Sequence, residues 1–378
     1  MGADGTARGL KQGGLLSAIT RNNLANLMLE TKMSINRRDL LKLAGVAGAA
    51  SVLPGLARAQ GLEKKNLSIA VGGQALIYYL PLSIADVNGY FKDEGLDVKI
   101  LDFAGGSRAL QAVVGGSADI VSGAFEHTIS LQSKGQEYCS FVQQGLTPMI
   151  VLAVSKKTVP DYKSPEDLKG KKIGVTAPGS STNMAISFYL SKFGIKPSDV
   201  SFIGVGGGAG AITAMRTGQI DAIANLDPVI GTLLKDDLIT IIADTRTVKD
   251  TIEIFGGNMP SGCLYTRRDF IAANPNTVQA LANAMVRADK WIQKSSPAEI
   301  AQAVPESYLL GDVELYKACL EGNKPGLSPD GTMPADGPQT ALNALAAYIA
   351  NFPASDIDLS KVWNGDFVAK ANEKYPNV

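Results

Sequence analysis

Residues 171–194 read KKIGVTAPGSSTNMAISFYLSKFG, and this stretch decides the fold. Ile173–Val175 is a short apolar run typical of a buried strand. Pro178-Gly179 then breaks the chain, and Met184–Phe193 follows with helical spacing. Gly194 stands where a C-cap glycine would end that helix. The stretch therefore predicts a strand, a small polar loop and a helix.

The polar loop, Ser180–Asn183, offers four consecutive N-cap candidates. A helix N-terminus carries about half a positive charge and unpaired N–H groups, so it can bind an anion. The same residues also suit an ordinary capped helix. The loop alone leaves both interpretations open.

Composition indicates a globular chain that does not bind nucleic acid. Of 378 residues, 19% are charged and 45% are hydrophobic, enough for two domains with cores of their own. Residues 61–378 hold 28 basic and 33 acidic residues, a net charge of −5. A mildly acidic body lacks the basic field that nucleic acid requires.

Cysteine and histidine usage argues against most catalytic and metal sites. Cys139, Cys263 and Cys319 are scattered and odd in number, which fits neither a disulfide framework nor a C-x-x-C motif. His127 is the only histidine, and we expect it to be structural. A single histidine excludes most triads and multi-histidine metal sites. We therefore predict no cofactor and no metal.

The N-terminal region resembles a twin-arginine signal peptide. Arg37-Arg38 precedes an apolar stretch, Leu43–Leu53, that is too short to span a bilayer, and Ala57-Arg58-Ala59 suits a signal peptidase. This resemblance implies residues 33–59 as leader, export by the Tat translocase, cleavage after Ala59 and a periplasmic location. Residues 1–32 do not fit the pattern, and we expect them to be an extra segment ahead of Met33.

The body predicts a parallel α/β sheet in each of two halves, because short apolar runs alternate with helical stretches across glycine-containing loops. The predicted strands are Leu67–Val71, Val98–Leu101, Asp119–Val121, Lys172–Val175, Val200–Gly204, Asp221–Ala224 and Gly262–Tyr265. Residues 103–120 overlay residues 205–222 without gaps, which aligns Gly116 with Gly218 and Asp119 with Asp221. The halves therefore read as two lobes built on one plan. We expect residues 60–154 and 262–378 to form lobe 1 and 155–261 to form lobe 2. A two-stranded hinge, Leu152–Lys157 and Gly257–Leu264, is expected to join them.

Ligands of open parallel sheets bind beyond the carboxyl ends of the strands. Two facing lobes would place six strand-end loops around one cleft: Gly73-Gln74, Gly105–Ser107, Ala124–Glu126, Ser180–Asn183, Gly206–Gly208 and Leu226-Asp227. Their backbone N–H, hydroxyl and amide groups suit a small oxyanion.

Several residues in or beside these loops have two possible roles. The glycine runs either approach a ligand or only permit tight turns. Glu126 and Asp227 either bind a ligand amine or cap the next helix, and Tyr78 and Tyr79 either stack on a ligand or pack in the lobe. Arg108 is expected to be an exposed surface charge.

The leader, the two-lobe order and Gly174–Thr182 (GVTAPGSST) together resemble the periplasmic solute-binding proteins of ABC importers, in the nitrate, sulfonate and taurine branch. The motifs Pro81–Ala85, Gly89–Leu96 and Asp330–Met333 add to this likeness, which covers about residues 66–370. The resemblance implies the two-lobed type II periplasmic binding fold, hinge closure on a ligand and docking to a membrane permease. It also implies a monomer that binds a small anionic solute and has no enzymatic activity.

Carried over by position, the resemblance implies a ligand shell, to which we add Glu126. The shell is Gln74, Gly105, Gly106, Ser107, Phe125, Ser180, Ser181, Thr182, Asn183 and Asp227. Two rival functions remain. One is an enzyme of the kind that makes the pyrimidine precursor of thiamine in fungi, whose chemistry needs a reactive lysine, histidines and a cysteine cluster. The other is a sensor that reports its ligand to a membrane receptor.

Overall fold

The computed structural model describes residues 61–378, so the predicted leader lies outside the described residues. Ten strands of the described chain form two five-stranded sheets. The first sheet has the order β2-β1-β3-β10-β4 and comprises β1 (Asn66–Val71), β2 (Asp97–Asp102), β3 (Ile120–Ala124), β4 (Tyr138–Gln143) and β10 (Gly262–Arg267). The second has the order β7-β6-β8-β5-β9 and comprises β5 (Val151–Ser155), β6 (Lys172–Val175), β7 (Ser201–Gly204), β8 (Ala222–Asn225) and β9 (Ile239–Asp244).

In each sheet four strands run in one direction and the fifth runs against them. β10 pairs antiparallel with β3 and β4, and β5 pairs antiparallel with β8 and β9, while the other pairings are parallel. The reversed strand is the one that enters each sheet from the other half of the chain. The prediction of mostly parallel sheets in two similar lobes is confirmed.

Helices cover the sheets in the alternating order that the sequence predicts. They are α1 (Leu80–Val87), α2 (Tyr90–Asp93), α3 (Gly106–Val114), α4 (Glu126–Gln132), α5 (Ser181–Ser191), α6 (Ala209–Thr217), α7 (Val229–Lys235), α8 (Val248–Phe255), α9 (Arg268–Ala273), α10 (Pro275–Lys294), α11 (Pro297–Ala303), α12 (Val313–Asn323), α13 (Gly337–Tyr348) and α14 (Asp366–Lys374). None of these helices is both long and apolar enough to cross a membrane.

Strands β4 and β9, which the sequence analysis missed, are the corresponding edge strands of the two sheets. Every residue of β4 is buried, as is every residue of β3 and β5. A strand covered on both faces loses the alternation of apolar and polar residues that identifies a half-exposed strand. The short run Tyr138–Gln143 therefore carried no periodic signal.

The chain passes between the sheets through two segments, 144–150 and 256–261. The expected boundary after residue 154 falls inside β5, which belongs wholly to the second sheet.

The C-terminal helices, which were expected to belong to lobe 1, pack on both halves of the protein. Although α10 and α14 pack on the first half, α12 packs on α7, and α13 packs on both α4 and α5.

The internal repeat has a direct structural counterpart. Gly116 and Gly218 have nearly equal φ angles of 77° and 78°, in the turns that lead into β3 and β8. The aspartates that follow accept backbone N–H groups from the neighbouring parallel strands, β1 and β6. Asp119 Oδ2 accepts from Ser68 N at 2.9 Å, and Asp221 Oδ2 accepts from Lys172 N at 2.8 Å.

Asp119 makes the larger set of these contacts and provides a test of the repeat. Burial alone would raise the pKa of Asp119, but the hydrogen bonds from Lys64 and Ser68 outweigh it and lower that pKa. The stabilisation is therefore present above the ordinary aspartate pKa and is lost as the pH falls below it. We expect Asp119→Ala to reduce the free energy of unfolding at pH 7 by about 1–3 kcal/mol.

Urea denaturation measures this change, with Asp97→Ala as the control. Asp97 is an exposed strand residue whose carboxylate makes no hydrogen bond within residues 61–378. Equal stability of the two variants would contradict the assigned role of Asp119.

Candidate functional site

The carboxyl ends of the parallel strands in the two sheets meet at one crevice. Ile77 N, after β1, donates to the carbonyl oxygen of Asp227, after β8, at 3.1 Å. Ser107 N, after β2, donates to Ser180 Oγ, after β6, at 3.0 Å, and Ser107 Oγ donates to the Pro178 carbonyl at 2.8 Å. Loops that are far apart in the sequence are thus in direct contact.

One close approach between the two halves depends on Gly105. A Cβ atom at this position would lie 2.8 Å from Ala177 Cβ and 3.0 Å from the carbonyl carbon of Thr176. The φ angle of Gly105 is 177°, which any residue can adopt, so the requirement for glycine is purely steric. The N-termini of α3 and α5 face each other at this contact.

Next to this contact, side chains of both halves surround Gly106. A Cβ atom on Gly106 would lie 3.6 Å from His127 Cε1, 3.6 Å from Tyr79 Oη and 3.8 Å from Ser180 Oγ. These are ordinary van der Waals distances, so the space beside Gly106 has room for a methyl group.

The predicted hydroxyl and amide side chains of the α5 loop are mostly occupied within their own half. Thr182 Oγ1 accepts from Thr176 N at 3.0 Å, and Asn183 Oδ1 accepts from Gly179 N at 2.9 Å. Ser180 is buried and bonded to Ser107, while Ser181 is partly exposed at the first position of α5. The side chains of Thr182 and Asn183 therefore hold the loop in shape.

Asp227 is fully buried, and its carboxylate is also occupied. Oδ1 accepts from Gly231 N at 2.8 Å, and Oδ2 accepts from Asn323 Nδ2 at 2.6 Å and from Arg246 at 3.2 Å. Arg246 in turn binds Asp244. Of the two roles left open by the sequence, the geometry supports the structural one for this carboxylate.

The remaining predicted residues line the first-half side of the crevice. Gln74 is partly exposed, and Asp102 Oδ1 holds its loop by accepting from Gly73 N and Gln74 N, each at 2.9 Å. Phe125 is fully buried, and its N–H donates to the Ser261 carbonyl at 3.1 Å. Arg108 is exposed, as expected.

Glu126 is the most unusual residue of the site. Its side chain is 3% exposed, and Oε1 has no hydrogen-bond partner in the described part of the chain. Burial raises the pKa of Glu126 from 4.5 to about 7. Burial raises the pKa of Tyr78, Tyr79, Cys263, Tyr265 and Tyr348, and the negative charge of Glu126 adds to the shift of each.

His127 is buried beside Glu126, and its ring has partners in both halves of the protein. Its Nδ1 lies 2.9 Å from Tyr265 Oη, and the ring also interacts with the backbone of Gly179. Burial lowers the pKa of His127 to about 4, although the hydrogen bond with the Gly179 backbone opposes this shift, so the imidazole is neutral at pH 7. These contacts support the expected structural role of His127, whose Cε1 atom borders the space beside Gly106.

The described residues contain no cluster of histidine, cysteine and carboxylate side chains that could hold a metal ion. The three cysteines are buried, and burial raises the pKa of Cys139 to about 12. Its thiol is therefore protonated at neutral pH and is a poor nucleophile or ligand.

The unpaired Glu126 predicts a pH-dependent stability of the ligand-free protein. A carboxyl group with a raised pKa destabilises the fold progressively from its unfolded pKa of 4.5 up to about pH 7, and fully above it. Glu126→Gln removes this cost, which is on the order of 2–3 kcal/mol. We expect the variant to melt several degrees above the wild type at pH 8 and close to it at pH 4.5.

Thermal unfolding of ligand-free protein across this pH range measures the difference. Glu321→Gln, an exposed substitution, is the control. A difference between wild type and Glu126→Gln that is the same at both pH values would show that Glu126 is already paired.

Comparison with known proteins identifies the family and the leader. The model of the NMT1-like family matches residues 61–305, and the signal sequence of the twin-arginine translocation pathway matches residues 34–54. A solved structure of a protein from Bordetella bronchiseptica RB50 is 66% identical and superposes with a TM-score of 0.84, covering 84% of this chain and all of that one.

Solved binding proteins show the same fold at low identity. The alkanesulfonate-binding protein SsuA from Xanthomonas axonopodis pv. citri is 18% identical, with a TM-score of 0.61 over 82% of this chain and 99% of that chain. The periplasmic nitrate-binding protein NrtA from Synechocystis PCC 6803 is 16% identical, with a TM-score of 0.67 over 83% and 90%.

Curated relatives include both a binding protein and enzymes. YtlA of Bacillus subtilis (strain 168), named provisionally as a binding protein, is 24% identical over 67% of this chain and 75% of its own length. The 4-amino-5-hydroxymethyl-2-methylpyrimidine phosphate synthase of Candida albicans (strain WO-1) is 26% identical over 61% and 68%. The family match spans more than half of the sequence, so this chain belongs to the NMT1-like family, has the two-lobed periplasmic binding protein fold and is exported to the periplasm behind a twin-arginine signal.

Proposed function

We propose that this protein is the solute-binding component of an ABC importer. It acts as a monomer, captures a small solute between its two lobes and delivers the solute to a permease in the cytoplasmic membrane. The observation that carries the proposal is the convergence of the strand-end loops of both sheets on one crevice. Sulfonate- and nitrate-binding proteins of the same fold support it.

The first turns of α3 and α5 supply the donors for an acceptor group of the solute. Their N-termini meet where Ser107 binds Ser180, so the positive ends of two helix dipoles point to one place. An anionic or carbonyl group of the solute binds there. The hinge consists of segments 144–150 and 256–261, which join the two sheets, and lobe 2 accordingly includes β5.

Binding fits the site better than the synthase activity of the curated relatives. The cysteines are buried, the single imidazole has its pKa lowered, and the Thr182, Asn183 and Asp227 side chains are occupied by structural hydrogen bonds. The crevice therefore presents hydrogen-bonding groups rather than an activated nucleophile.

Gly106→Ala tests whether a solute occupies the space beside Gly106. The added methyl group fits sterically, so we expect the free energy of unfolding to stay the same or to rise slightly, since alanine favours a helix. The affinity for the solute should fall at least tenfold because the methyl group takes its place.

The matched control is Gly322→Ala, an exposed position of α12 outside the crevice loops, where no atom lies within 4 Å of the added Cβ. Binding is followed by thermal shift and calorimetry with nitrate, ethanesulfonate, acetate and pyrimidine, and by native mass spectrometry for a retained molecule. The proposal fails if nothing binds the wild type, or if Gly106→Ala binds as tightly as Gly322→Ala.

Gly105→Ala tests lobe closure separately from contact with the solute. Its methyl group would collide with Ala177 and Thr176 of the other half, so the lobes cannot reach the closed contact. We expect a larger radius of gyration by small-angle X-ray scattering, weaker solute binding and little loss of stability. A variant that closes and binds like the wild type would contradict the hinge mechanism.

A further inference from the structure

We propose that the solute carries an N–H donor that binds the Glu126 carboxylate, in addition to the acceptor group that binds at the helix N-termini. Glu126 is then a specificity-determining residue that selects nitrogen-bearing solutes over plain oxyanions such as nitrate or simple sulfonates. The inference rests on the proposed function, because it requires a solute in the crevice.

The first observation is a buried acceptor that nothing in the described chain satisfies. Glu126 is 3% exposed, yet Oε1 lacks a donor. Leaving a buried charged acceptor unpaired costs more free energy than leaving a neutral one. An N–H group from the solute would remove this cost on binding, so Glu126 contributes to affinity only for solutes that provide such a group.

The second observation is the group of aromatic side chains near the start of α4, where Glu126 lies. Tyr78 and Tyr79 pack edge to face at 4.7 Å between ring centroids, and Tyr79 Oη borders the space beside Gly106. Tyr265 Oη lies 2.9 Å from Nδ1 of His127, the residue next to Glu126. These groups suit a compact solute that has polar edges and an apolar body.

The third observation concerns the cations near the crevice. Among the hydrogen bonds and ion pairs of the six loops in the described chain, the one basic partner is Arg246, whose guanidinium is already bound to Asp227 and Asp244. A buried carboxylate repels a plain oxyanion at short range, so a site for such an anion is not expected to contain one. The site instead has a donor end at the helix N-termini and an acceptor end at Glu126.

Matched pairs of compounds test the inference by isothermal titration calorimetry. Taurine is compared with ethanesulfonate, and 4-aminopyrimidine with pyrimidine, so that each pair differs by its N–H group. We expect wild-type protein to bind the N–H member of at least one pair at least tenfold more tightly than its analogue. The pair that discriminates shows whether the donor is an aliphatic ammonium or a planar amine.

Two variants separate recognition from a general effect on the fold. Glu126→Gln keeps the size and one acceptor but loses the charge, and it should reduce the discrimination about tenfold. Glu126→Met lacks an acceptor and should abolish it, whereas a structural defect would weaken both members of a pair equally. Glu321→Gln should behave like the wild type.

The outcomes distinguish this inference from the proposed function. If ethanesulfonate and pyrimidine both bind as tightly as their N–H partners and Gly106→Ala blocks that binding, the solute-binding function stands and the role of Glu126 is wrong. Discrimination that persists in Glu126→Met, or absence of selective binding in both pairs, also overturns the inference. If no compound binds and no closure is observed, both proposals fail.

Discussion

The architecture depends on a close contact between two loops that belong to different sheets. Gly105 packs against the backbone at Thr176 and Ala177, and Ser107 binds both Ser180 and Pro178. The contact is possible because Gly105 has no side chain. With these loops in contact, the starts of α3 and α5 face each other, and the strand-end residues of both sheets surround one space.

The two halves achieve this arrangement with the same local chemistry. In each half, a glycine with φ near 78° ends the turn after a helix, and an aspartate then ties β3 to β1 or β8 to β6. Two copies facing each other present similar strand-end loops, while the residues at the loop tips differ and determine what can be bound.

Glu126 stands apart from the other polar residues of the crevice. Most candidate polar side chains are bonded within the protein, including those of Thr182, Asn183 and Asp227, whereas Glu126 Oε1 has no partner among residues 61–378. Other buried polar atoms in this part of the chain are also unpaired, among them both carboxylate oxygens of Asp289. Glu126 differs from these because it follows β3 at a strand end of the crevice, where a ligand can supply the missing donor.

The sequence by itself determined the fold class, the export signal, the strand-end loops and the internal repeat. These features depend on local patterns: apolar runs, glycine positions, an Arg-Arg pair and a constant spacing of 102 residues between Asp119 and Asp221. It could not reveal β4 and β9, because β4 is buried throughout and lacks alternation, nor that α12 packs on α7. Only the tertiary structure decided which polar side chains are hydrogen-bonded within the protein. Asp227 and Glu126 looked equivalent in sequence. Asp227 binds Arg246 and Asn323, which come from distant parts of the chain, whereas Glu126 Oε1 has no partner among the described residues.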